Sequence, residues 1–120
     1  MVAGTILAVL MLGQAPAAVA DVGYEELRDG RNVAAIATIE LNDALEADDP
    51  ARLINLGIAY ARQGEGERAR SLFEAAARSD NRVQLETAGG EWRDSRYLAR
   101  KALTMLDRGD FGERSRLTMR

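Results

Sequence analysis

Apolar residues recur along the middle of this chain with the period of a helix. Leu53, Leu56, Gly57 and Tyr60 stand at i, i+3, i+4 and i+7, one face of a helix over about 50–62. Ala69, Leu72, Phe73 and Ala76 repeat the pattern over about 67–78. Between them Gln63-Gly64-Glu65-Gly66 turns the chain, and so short a connection predicts an antiparallel pair. Upstream, Ala37, Leu41, Ala44 and Leu45 predict a helix from Val33 to about Ala47, with Asn32 as its N-cap. Tyr24 to Arg28 makes a short helix closed by Asp29-Gly30. Asp48-Asp49-Pro50 then restarts the chain, Asp49 capping and Pro50 at the first helical position, where its missing N–H needs no partner. Past a less regular stretch, 79–90, with its break at Gly89-Gly90, a last helix is expected over about 92–106. Its inner face is Leu98, Ala99, Ala102, Leu103, Met105 and Leu106. No segment alternates apolar and polar positions over several residues, so the expected class is all-α.

The stretch from Pro50 to Val83 resembles a tetratricopeptide repeat, a 34-residue helical hairpin. Leu53 stands where the family most often has Trp. Leu56-Gly57 and Tyr60 match the first helix, and Ala69, Phe73 and Ala76 match the second. Asn81 stands where the family often has Pro. Leu53 and these six matched positions are the expected packing core: Gly57 and Ala69 let the helices approach, and Tyr60 and Phe73 fill the space beside them. Ala37, Leu41 and Ala44 resemble Ala69, Phe73 and Ala76 and suggest a truncated hairpin before the repeat. The last helix reads as a closing element after it.

The resemblance implies a binding function. In the family the first helix of each pair lines a concave groove, which places Ile54, Asn55, Ile58 and Arg62 on a peptide-binding face. Asn55 stands where clamp-type members hold an Asn that bonds a peptide main chain or terminal carboxylate. Arg96, Arg100 or Lys101 would supply the clamp's cations if the last helix lies alongside. Trp92 is either packed under the Gly89-Gly90 bend or an exposed binding anchor. The implied partner is a protein or peptide, with envelope or pilus assembly a setting by resemblance. Self-association through the open edge of the repeat is the alternative, and a surface-acting role of the basic tail is another.

The first 20 residues contain no charged side chain. An apolar run from Val2 to Leu12, then Ala18-Val19-Ala20 before Asp21, has the form of a signal peptide cleaved after Ala20. This predicts a periplasmic or secreted protein, with a membrane anchor through residues 2–20 as the alternative. The expected organisation is a signal peptide over 1–20, a helical domain over 21–109 and a loosely ordered basic tail over 110–120.

Composition narrows the chemistry. The chain has no His and no Cys, which removes imidazole acid–base catalysis, thiol nucleophiles, disulfides and thiolate metal sites. No phosphate-binding glycine motif is present, and the only Lys is Lys101. No enzyme activity, cofactor or metal is expected. Residues 21–90 carry 14 acids and 8 Arg, whereas residues 91–120 carry 5 acids and 8 bases. Neither part has the strongly basic face of a nucleic-acid binder, so no nucleic-acid partner is expected.

Overall fold

A computed structural model describes residues 21–112, and the fold is all-α apart from one short two-stranded sheet. The signal peptide expected over 1–20 and most of the tail, 113–120, lie outside the described residues. Helix α1 spans Tyr24–Arg28, α2 Asn32–Glu40, α3 Pro50–Arg62 and α4 Gly66–Arg78. Strands β1 (Gln84–Glu86) and β2 (Trp92–Asp94) follow, and α5 spans Ser95–Arg108. Successive helices pack on one another, and α5 also reaches α3.

The central hairpin forms as its apolar pattern dictates. Asp49 caps α3, its Oδ1 accepting from the Arg52 N–H at 2.9 Å, with Pro50 at the first turn. Leu53, Leu56 and Tyr60 from α3 meet Ala69, Phe73 and Ala76 from α4 in one apolar cluster, every one of them buried. The approach is closest at Gly57, where an added Cβ would lie 2.5 Å from Phe73 Cε1 and 2.8 Å from Cδ1. A methyl group there has no room, so the small residue is a packing requirement of this interface.

Helix α2 is shorter than the sequence pattern implies. It ends at Glu40, and Ala37, Leu41 and Ala44 are exposed rather than packed. Asn42 stops it: its Oδ1 accepts from the Ala44 N–H at 2.9 Å and its Nδ2 donates to the Asp21 carbonyl at 3.1 Å. An Asn side chain that bonds nearby backbone competes with continued helix. The inward face is instead Asn32, Ala35 and Ile39. Asn32 is accordingly the first residue of the helix and not its cap; Arg31 occupies the cap position without a side-chain bond.

The stretch 79–94 also differs from expectation. Gln84, Leu85 and Glu86 pair antiparallel with Asp94, Arg93 and Trp92. Thr87 N–H donates to Glu91 O at 2.7 Å, and Gly90 takes the left-handed conformation, φ 87°, that closes a three-residue loop. Trp92 therefore lies in a strand, and the last helix begins at Ser95 under an Asp94 cap, Asp94 Oδ1 accepting from the Arg96 N–H at 2.7 Å. It ends at Gly109, φ 70°. Phe111, just beyond, stacks on Phe73 with ring centroids 5.7 Å apart. The start of the expected loose tail is thus held on the core.

Candidate interaction surfaces

The face of α3 expected to line a groove is inside the protein. Ile54, Asn55 and Ile58 have no exposed surface. Asn55 Nδ2 donates to the Val22 carbonyl oxygen at 2.9 Å, a buried hydrogen bond. Arg62 is half-buried, its Nη1 donating to Leu27 O at 2.8 Å and Asn32 Oδ1 at 3.2 Å. Burial pushes its guanidinium down to about 10, because the charged form loses hydration. The expectation that these four residues form an open peptide groove is therefore corrected. The chain's own segment from Val22 through α1 and α2 covers the face that a longer array would leave concave. Sequence spacing places residues on a face of α3 but says nothing of what lies over it.

Segment 22–28 is fastened there by shape as well as by hydrogen bonds. Gly23, φ 74°, adopts a conformation that disfavours any side chain, and a Cβ on it would lie 3.1 Å from Ile39 Cδ1. Leu27 is fully buried, and Thr38 Oγ1 donates to Glu26 Oε2 at 3.1 Å across α1 and α2.

Around β2 and the start of α5, apolar groups reach solvent. Trp92 is 37% exposed, Tyr97 48% and Val83 39%. Two hydrogen bonds join Val83 to the start of α5: Ser95 N–H to Val83 O at 2.8 Å, and Val83 N–H to Ser95 Oγ at 3.1 Å. Tyr97, Arg100, Lys101 and Thr104 follow at helical spacing, all exposed. Arg100 and Lys101 have no ion pair among the described residues.

The neighbouring arginines are engaged. Arg96 does not serve as a clamp cation: its Nε and Nη2 donate to Ser79 O at 2.9 and 2.6 Å, closing the end of α4. Arg82 pairs with Asp94. Burial pushes the Asp94 carboxyl up, but the Arg82 hydrogen bond and the Arg96 backbone N–H together hold it below the usual carboxylate value. Arg93 Nη2 lies 3.4 Å from Glu91 Oε1.

Sequence reasoning had singled out Trp92, Arg100 and Lys101 but missed Tyr97 and the hairpin that carries Trp92. The signal was available: Gln84-Leu85-Glu86 and Trp92-Arg93-Asp94 flank Gly89-Gly90, a turn dipeptide between two short runs.

Among the described residues no group of three or more carboxylates is placed to hold a metal ion, and no helix is long and apolar enough to cross a membrane. Comparison with models of protein families, with curated proteins and with solved structures gives no match for this chain.

Proposed function

We propose that this protein is a non-catalytic interaction module of tetratricopeptide type, exported to the periplasm or cell envelope, that holds a protein or peptide partner. The proposed contact surface is the end formed by β2 and the start of α5. The observation that carries this reading is the exposure of Trp92 on β2 and of Tyr97, Arg100 and Lys101 at helical spacing on α5, the two cations without an ion pair among the described residues. Trp, Tyr and Arg dominate binding hot spots, because large rigid side chains gain contact area at little cost in conformational entropy. The chemistry fits a partner segment with apolar side chains flanked by acids. Export is supported by the uncharged leader and its Ala-x-Ala site.

The experiment is photo-cross-linking in cells that express the full-length chain, with a photoreactive residue at position 92 or 97 and a control at Glu67, which is exposed on α4. A discrete adduct with the same protein from 92 and 97, lost on Arg100→Glu with Lys101→Glu, is the expected result. Equal labelling at all three positions, or none at 92 and 97, refutes the surface. A cytoplasmic chain with an intact leader refutes export separately.

A further inference from the structure

Helix α2 is apolar on two sides. Its inward residues Ala35 and Ile39 belong to the core. Its outward side carries Val33, Ala37 and, at its C-terminal end, Leu41, spaced i, i+4, i+8. Val33 is 67% exposed and Leu41 80%. From Asn32 to Ile39 the helix has no charged residue. A surface helix ordinarily gives its outer face to charged groups, and an apolar patch rimmed by polar residues marks an interaction site.

The order of residues along this stripe is self-complementary. Turning α2 end for end about Ala37 sets Val33 against Leu41 of a copy, and Leu41 against Val33. The same operation sets exposed Arg31, before the helix and with its Nη2 3.5 Å from Asp29 Oδ2, against exposed Asp43, just after it. A cation at the N-terminal end and an acid past the C-terminal end both oppose the helix dipole, and opposite charge from a partner offsets each. A parallel arrangement would place like charges together. Ala37, with a single methyl group, stands where two helix axes would cross and permits close approach.

We propose that this stripe is a homodimer interface, in which α2 packs antiparallel on α2 of a second copy about a two-fold axis at Ala37. Such an interface is isologous, each patch meeting itself. It is independent of the surface around Trp92. One helix face buries less than the roughly 800 Å² per partner of a standard interface, so association is reversible, with a dissociation constant in the micromolar range.

The absence of cysteine makes the test clean. In intact cells expressing the full-length chain, Ala37→Cys is oxidised with copper phenanthroline. It is compared with Val33→Cys alone, Leu41→Cys alone and the last two co-expressed. The expected result is a disulfide dimer from Ala37→Cys and from the co-expressed pair. Each of the other single variants should give at least about tenfold less, because residues 33 of the two copies lie about 12 Å apart along the axis, beyond disulfide reach. Arg31→Glu should lower the Ala37→Cys yield, and adding Asp43→Arg should restore it. Circular dichroism checks that each variant folds. Equal yields at 33, 37 and 41 would mean random collision and overturn the proposal. So would no dimer from a folded Ala37→Cys chain, including the case where residues 1–20 or another protein cover the stripe.

Discussion

The side-chain amide of Asn55 donates to the main-chain carbonyl of Val22, 2.9 Å away and 33 residues earlier in the chain. An Asn that the repeat resemblance assigns to peptide recognition thus bonds a peptide main chain, and that main chain is the protein's own. Replacing it tests how firmly segment 22–28 is held. Asn55→Ala strands the Val22 carbonyl in the core and should cost about 1–3 kcal/mol. Asn55→Asp should cost more at pH 7 than at pH 3, since a buried carboxylate would face a carbonyl oxygen. Thermal unfolding at the two pH values reads both. No loss of stability in either variant would mean that the segment is not fastened there.

Gly57 and Gly66 make a matched pair of tests. A Cβ at Gly57 would enter the Phe73 ring, whereas at Gly66 it meets nothing within 4 Å. Gly57→Ala should destabilise by about 1–3 kcal/mol from overpacking, partly offset by the better helix propensity of Ala. Gly66→Ala should be neutral or gain up to about 1 kcal/mol. Equal effects in chemical denaturation would show that the α3–α4 contact is looser than described.

Phe111 extends the core beyond α5 by stacking on Phe73. Phe111→Ala should lower stability by about 1–2 kcal/mol, the aromatic pair plus the lost apolar burial. Phe111→Leu should recover part of it. An unchanged melting temperature in Phe111→Ala would place residue 111 with the loose tail.

Trp92 reports on its own surroundings. Lying on β2 with 37% of its surface exposed, it should emit at long wavelength and be quenched readily by acrylamide. Emission typical of a dry interior would put it under the Gly89-Gly90 bend and remove the proposed contact surface.

Asp94 caps α5 and pairs with Arg82, and its carboxyl sits below the ordinary value of 3.8. A carboxyl depressed by folding contributes stability that is complete above its unfolded value. That contribution is lost as pH falls through the lower folded value. The β-hairpin and the start of α5 should therefore loosen below about pH 4. Asp94→Asn keeps a good N-cap but lacks the titrating charge, so its amide exchange in this region should vary less with acid. Identical acid profiles in the two proteins would deny Asp94 this role.

The sequence by itself determined the central hairpin: Asp49-Pro50 as its start, Gly57 as a point of close approach, Phe73 and Tyr60 as its filling. These are local matters, set by helical period, capping chemistry and side-chain volume, and each is readable from neighbours a few positions away. It also determined the chemistry that is missing, since a chain without His or Cys cannot supply those groups wherever they would fall. Only the tertiary structure decided which faces meet. Periodicity marked Leu41 as an inner residue, yet Asn42 ended the helix first and left it exposed. Periodicity placed Ile54, Asn55 and Ile58 on one side of α3, but whether that side was a groove or a core depended on where residues 22–40 came to rest. Burial is a property of pairs of surfaces distant in sequence, and one helix's pattern records only its own half of each pair.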